Sequence, residues 1–325
     1  MLVNTIILQA VHWDQTNLGR AQVLLAGGAL PALAGGCRCA PGFRNWALNK
    51  PLVMRPTLSQ VCSLNSPLER DVEDYAAGKC ESIELWLTKV ESYLETASEA
   101  TLRDLLEEHG VVTPVASLQG GLLASQGDAR RVAWDLFAER LRLCHRLQVE
   151  TLVVACDVPH PLTASDLQRV RHSLVEVAQV AGPFGVRVAL EPQAGAAIGN
   201  NLQTATALVE EVGSPHLGIC LDSFHYYVGP SKEEDLQYLT SANLFHVQLA
   251  DVGDQPRELV SDRDRILPGE GGIDLQPILQ RLTQIPYQGC VSIELMNPQI
   301  AQIPALQFGE IALTALRKIL GLATA

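Results

Sequence analysis

Glu191, Asp222, His246 and Glu294 each close a short apolar run: VRVALE, LGICLD, NLFH and CVSIE. A parallel strand buried on both faces reads as a near-continuous string of Val, Ile and Leu. A charged residue at its C-terminal end therefore stands where the sheet stops and a ligand crevice begins. Three carboxylates and one imidazole make an oxygen-rich set, suited to Mn²⁺, Mg²⁺ or Co²⁺ and less to zinc, which favours nitrogen and sulfur. Without a cation, three acids in a small volume repel one another until at least one takes a proton. Taken singly, each such residue reads equally well as a helix cap or an ion-pair partner. Four consecutive strand ends carrying them point to one site.

The elements that must position these residues are legible as an alternation. Strand patterns fall at Leu58 to Cys62, Ser82 to Trp86, Val111 to Ala116, Thr151 to Ala155, Val186 to Glu191, Leu217 to Asp222, Leu244 to Leu249 and Val291 to Leu295. Between them lie amphipathic stretches at helical spacing, clearest in Ala129 to Leu147 and Ala164 to Ala181. Ser66, Thr163, Asn201, Ser231 and Asp274 are the expected helix caps. Eight strand-helix units over residues 54–325 predict an α/β fold, a (β/α)8 TIM barrel. A doubly wound open sheet is the rival, but it calls for a glycine-rich turn after its first strand, and Ser63-Leu64-Asn65-Ser66 is not one.

In a barrel all strand C-termini open on one face. Glu191, Asp222, His246 and Glu294, at the ends of strands five to eight, become neighbours there. Other residues fall at the same mouth. His225 follows Asp222 by three positions, and Arg265 lies in a charged loop that Pro268-Gly269-Glu270-Gly271 would fold back over the opening. Gln248 shares a strand face with His246 by the two-residue period, and Glu84 shares one with Trp86, a candidate sugar-stacking wall. Asp251 lies at the exit of strand seven, and His160 follows strand four. Each also has an ordinary structural role open to it: core amide, packed indole, loop cation.

The segments LEP at Glu191, LDSFH at Asp222 to His225, HVQLAD at His246 to Asp251, DRDRILPGEG at Asp262 to Gly271 and SIEL at Glu294 together resemble the xylose-isomerase-like barrel family of sugar isomerases and epimerases. The similarity runs from about Met54 to Leu320 and is specific in the second half of the chain. In the ketose 3-epimerase branch, the resemblance implies one divalent ion held by residues matching Glu191, Asp222, His246 and Glu294. The two glutamates would also exchange substrate protons, and His225 and Arg265 would contact substrate oxygens. The expected function is thus a divalent-metal-dependent isomerase or epimerase of a sugar or cyclic polyol. A dehydratase acting on a keto-polyol or a dehydroshikimate-like keto-acid shares its first step and is the alternative. A binding barrel without turnover is less well supported, since both glutamates are present. A nuclease like endonuclease IV would need further histidines where strands two and three end in Trp86-Leu87 and Ala116-Ser117.

Composition agrees with a small-molecule partner. The formal net charge of −12 disfavours a nucleic-acid or anionic-membrane surface, because phosphate binding needs a basic stripe. The eight cysteines are scattered, which suits a reduced, cytoplasmic protein in which Cys62, Cys156, Cys220 and Cys290 act as small apolar residues. Cys37-x-Cys39 has no second pair at zinc-finger spacing. Residues 1–53 differ in texture: AQVLLAGGALPALAGG is apolar but glycine-broken and too short for a membrane span. They are expected to form a disordered or non-native extension ahead of the catalytic domain. Nothing in the sequence speaks for or against a homo-oligomer.

Overall fold

A computed structural model describes residues 54–322. The expected extension over residues 1–53, with its Cys37 and Cys39, lies outside the described residues. Seven barrel strands come first: β1 (Arg55–Ser59), β2 (Ser82–Trp86), β3 (Val112–Gln119), β4 (Thr151–Cys156), β5 (Arg187–Pro192), β6 (Leu217–Asp222) and β7 (Leu244–Leu249). A two-stranded antiparallel flap, β8 (Asp251–Val252) with β9 (Arg265–Ile266), precedes the last barrel strand, β10 (Cys290–Ile293). The barrel closes in the order β1-β10-β7-β6-β5-β4-β3-β2 with every neighbouring pair parallel.

Helices α1 (Leu68–Ala77), α2 (Leu87–Leu94), α3 (Glu99–Glu108), α4 (Gly127–Arg146), α5 (Ala164–Ala181), α6 (Leu202–Val212), α7 (Ser223–Val228), α8 (Gln276–Gln284) and α9 (Ala305–Ile319) follow or separate the strands. Their buried stripes have the spacing that the sequence shows. Phe137, Leu141 and Cys144 are the inner face of α4, and Val170, Leu174, Val177 and Ala181 that of α5. Strand alternation then divides the core in two. In β4, Leu152 and Val154 join the large core shared with the helices, while Val153 belongs to a small separate cluster with Val115, Ala189, Cys220, Phe245 and Cys290.

Several expected boundaries move. The first strand is Arg55–Ser59 and not Leu58 to Cys62, because Gln60–Ser63 turns into a 3-10 helix after Ser59. The last strand ends at Ile293, so Glu294 is the first residue beyond it. Thr163 and Asn201 cap their helices as expected, Thr163 in a reciprocal capping box with Asp166. Ser66, Ser231 and Asp274 do not. Pro67 starts α1 without a side-chain cap, Ser231 accepts instead from the Leu202 N–H of a neighbouring helix, and Asp274 lies one residue ahead of the α8 cap and bonds the Gln276 N–H. Cys62, Cys80, Cys144, Cys156, Cys220 and Cys290 are free thiols, all buried. Among the described residues no helix is long and apolar enough to cross a membrane.

Candidate active site

Glu191 is the penultimate residue of β5, Asp222 the last of β6 and Glu294 the first after β10, so all three carboxyls stand at the C-terminal mouth. His246 differs from expectation. It is the third residue of β7, and the strand runs on through Val247, Gln248 and Leu249. In register Asp222 faces Gln248, whereas His246 faces Cys220, two residues deeper. The pairing also slips by one residue at Phe245, since Ile219 pairs with Leu244 and Cys220 with His246. Such a slip re-aims the side chains that follow it.

Two clusters result. At the mouth, ligand atoms of Glu191, Asp222 and His225 lie within 4.8 Å of one another, and all three residues are buried. His246 and Glu294, expected to complete a set with Glu191 and Asp222, fall outside that triad, and His225, expected to meet substrate, falls inside it. Asp222 serves two neighbours. Its Oδ1 accepts from the Phe224 and His225 N–H groups at the start of α7, and its Oδ2 lies 2.6 Å from Arg265 Nη1. Arg265, 1 % exposed, also reaches Glu294 Oε2 at 3.1 Å, Asp262 Oδ1 at 2.8 Å and His225 Nε2 at 3.4 Å, and it stacks 4.3 Å over the Phe224 ring. It is thus placed as a counter-cation among the acids at the mouth, the side on which the resemblance puts a substrate contact.

Beneath lies the second cluster, centred on Glu84, which is fully buried. Its Oε1 accepts from Ser117 Oγ at 2.7 Å and Gln248 Nε2 at 3.0 Å, and its Oε2 accepts from Ser292 Oγ and lies 2.9 Å from His246 Nε2. Gln248 Nε2 also donates to Glu294 Oε1 at 2.9 Å, linking the two clusters. Glu84, expected beside Trp86 in a wall against the sugar, instead sits inside the barrel. Trp86 is half-buried, packed against the main core, with its backbone N–H donating to Gln60 Oε1. His160 is exposed on the loop after β4 and joins neither cluster. Ser117 and Ser292 belong to this cluster without a motif that marks them. Their signal is weak: Ser292 stands two positions before Glu294 and so shares its strand face.

Burial and neighbouring charges together set the proton affinities. It raises the Glu191 carboxyl well above the ordinary range, and the charge of Asp222 raises it further. Burial raises Glu294 likewise, with Glu191 and Asp222 adding to it against the pull of Arg265. Asp222 goes the other way: burial opposes ionisation, but Arg265 and His225 hold the group below its usual value. Glu84, also disfavoured by burial, is held low by the His246 imidazole and the serine hydroxyls. The site therefore contains two carboxyls that resist ionisation beside two that accept it, the arrangement by which one pocket holds both an acid and a base.

A divalent cation fits these residues. His246 Nδ1 is buried with no hydrogen-bond partner, an orphan that an electron-pair acceptor would satisfy, and at the mouth Glu191, Asp222 and His225 bring ligand atoms within 4.8 Å of one another. Glu84 on Nε2 is the carboxylate–histidine pairing common behind metal-ligating imidazoles.

Above the mouth, Asp251 anchors the returning loop. Fully buried, it accepts from four backbone N–H groups, those of Val252, Gly269, Gly271 and Ile273. That staple folds Pro268-Gly269-Glu270-Gly271 back onto β8 and helps fix the β9 segment carrying Arg265.

Comparison with known proteins agrees with this architecture. The profile of the xylose isomerase-like TIM barrel family matches residues 72–317. An inosose isomerase of Bacillus velezensis is 28% identical over 250 residues, covering 74% of this chain and 88% of that protein. One of Halalkalibacterium halodurans is 36% identical over 136 residues, covering 41% of this chain and 47% of its own length, so the chain spans only about half of that relative. A 3-dehydroshikimate dehydratase of Pseudomonas putida is 24% identical over 247 residues, covering 75% of this chain and 38% of that protein. Among solved structures, the IOLI protein with a binding zinc atom superposes with a TM-score of 0.76 at 24% identity, covering 82% of this chain and 98% of that one. With the closed eight-stranded barrel and a family match over most of the sequence, the chain belongs to the xylose isomerase-like TIM barrel family.

Proposed function

We propose that the protein is an isomerase or epimerase of a sugar or cyclic polyol in its keto form, moving a proton next to the carbonyl. The observation that carries this is the pair Glu191 and Glu294: two buried carboxyls of raised proton affinity at the ends of β5 and β10, three strands apart around the mouth. The inosose isomerases similar to this chain support the substrate class.

The ionised glutamate takes a proton from the carbon beside the carbonyl, the C–H electron pair becomes a C=C bond and the C=O π pair moves onto the carbonyl oxygen, giving an ene-diolate. The other glutamate, protonated, returns a proton. Delivery to the same carbon from the opposite face inverts it; delivery to the former carbonyl carbon, with the proton of the adjacent hydroxyl passing to the former carbonyl oxygen, shifts the ketone by one position. Like-charge repulsion favours one proton shared by the pair, so their apparent values belong to both. Asp222, held ionised by Arg265, and His246, with its bare Nδ1, would hold a divalent cation together with Glu191 and Glu294. His225 suits that role less, as its two ring nitrogens face the Ala194 N–H and Arg265. When bound, the cation acts as a Lewis acid on the carbonyl and hydroxyl oxygens and stabilises the developing oxyanion.

Product analysis by NMR in D₂O across inososes, ketoses and dehydroshikimate tests this. Deuterium at the carbon next to the carbonyl, without loss of water, is the expected result. Net loss of water would favour the dehydratase reading, which the similarity to the Pseudomonas putida enzyme supports. Absence of both deuterium and turnover across the panel would overturn the enzymatic reading.

A further inference from the structure

Glu84 is fully buried inside the barrel, where it gathers donors from three other strands. Ser117 comes from β3, His246 and Gln248 from β7, and Ser292 borders β10's last residue. A carboxylate so placed is costly to bury and is retained only if its four donors remain satisfied. Two of those donors bear on the site. A carboxylate can only accept, so the proton on the neutral His246 ring must sit on Nε2, 2.9 Å from Glu84 Oε2, and Nδ1 is then the lone-pair nitrogen. That nitrogen is the one buried without a partner. Gln248 in turn uses one amide nitrogen to bridge Glu84 Oε1 at 3.0 Å and Glu294 Oε1 at 2.9 Å, which fixes where the Glu294 carboxyl points. Its amide oxygen is turned to Cys220 Sγ, 3.0 Å away, so the orientation with NH₂ toward both glutamates is the one the thiol favours.

We propose that Glu84 is the positioning residue of the site: it sets the His246 tautomer that leaves Nδ1 bare, and through Gln248 it orients Glu294. The inference rests on the function proposed above only for what the bare nitrogen and the oriented carboxyl are used for. The hydrogen-bond relay itself stands independently of the reaction. A Gln in place of Glu84 would keep the shape but add two N–H donors where four donors already converge. Each Glu84 oxygen accepts from two donors, so the new NH₂ takes the acceptor from two of them; on the Oε2 side these are Ser292 Oγ and His246 Nε2, and the His246 ring then carries its proton on Nδ1.

The test uses the full chain with ¹⁵N-labelled histidine, whose tautomers are distinguished by long-range ¹H–¹⁵N correlation, with His246→Asn to assign the signal. The wild type is expected to show the Nε2–H form. Glu84→Gln is expected to move the population toward Nδ1–H, to weaken Mn²⁺ binding by about 10- to 100-fold in a chelator competition and to lower kcat with little change in KM. Ser292→Ala removes the other hydroxyl near Nε2, 3.0 Å away, and is expected to leave the tautomer as it is, because Glu84 remains. Glu84→Gln with an unchanged His246 tautomer overturns the proposal. If that variant does not fold, a tautomer change in Ser292→Ala overturns it and retention supports it. If Glu84→Gln shifts the tautomer while His246→Asn binds Mn²⁺ like the wild type, the ligand assignment fails and the positioning role stands.

Discussion

Arg265 Nη1 lies 2.6 Å from Asp222 Oδ2, with both side chains almost wholly excluded from solvent. Glu294 Oε2 is only 3.1 Å from the same nitrogen, so one guanidinium neutralises two of the acids at the mouth. Removing one partner of such a buried pair leaves the other charge uncompensated. Arg265→Met is therefore expected to destabilise chelator-treated protein by about 3–5 kcal/mol. Added Mn²⁺ should restore more stability to the variant than to the wild type. Thermal denaturation with and without the ion measures both.

Glu294→Gln keeps the size of the side chain and an oxygen but abolishes its proton chemistry. Turnover and deuterium incorporation are expected to fall by about 10²- to 10⁴-fold, the usual worth of a positioned acid or base. Calorimetric titration should still detect Mn²⁺ binding, since Glu191, Asp222 and His246 are intact. A variant that retains wild-type exchange rates would remove Glu294 from the mechanism.

On the far side of the mouth, Asp71 pairs with Lys89 at 2.5 Å, and the ammonium also reaches the Ser63 carbonyl. Burial raises the Asp71 carboxyl from 3.8 to about 6 in spite of Lys89. A carboxyl whose folded value is raised contributes stability fully below its unfolded value and loses that contribution as pH climbs through the folded one. Burial lowers the Lys89 ammonium against the pull of Asp71, and the double variant removes both groups together. Between pH of about 4 and 7, the wild type should thus lose about 3 kcal/mol relative to the double variant Asp71→Asn/Lys89→Met. Urea denaturation of both proteins across that range gives the difference directly.

Asp251 holds its loop through four backbone N–H groups, and Gly271 lies so close that an added Cβ would meet the Val252 carbonyl oxygen and the Asp251 carboxylate. Asp251→Ala leaves those donors unpaired, at about 1–3 kcal/mol each for any that water cannot reach. Gly271→Ala must displace backbone. Both are expected to lower stability and to loosen the segment carrying Arg265, seen as faster amide hydrogen exchange over residues 262–273.

Much of the barrel is legible in the chain because strands buried on both faces have a distinctive composition. LGICLD and LFHVQL match their strands to the residue, and the pattern of Ala164–Ala181 matches its helix with the Thr163 cap. Pattern and structure part where a short apolar run has two outcomes. Leu58 to Cys62 is apolar enough for a strand, but Ser59 caps a 3-10 turn and ends it early. The strand LFHVQL has the bounds its pattern predicts, but His246 lies within it and not at its end, because polar residues that face the barrel interior interrupt the apolar run.

What the sequence determined by itself was which residues line one mouth: a parallel barrel of period-two strands puts Glu191, Asp222 and Glu294 at the same end whatever the details. What tertiary structure decided was depth and partnership. His246 and Glu84 meet across 162 positions of chain, and Arg265 meets Asp222 across 43, through register, a one-residue slip at Phe245 and a loop stapled by Asp251. No local pattern encodes these contacts, because hydrogen bonds and ion pairs between distant segments depend on ångström-scale placement, and that is set only when the barrel closes.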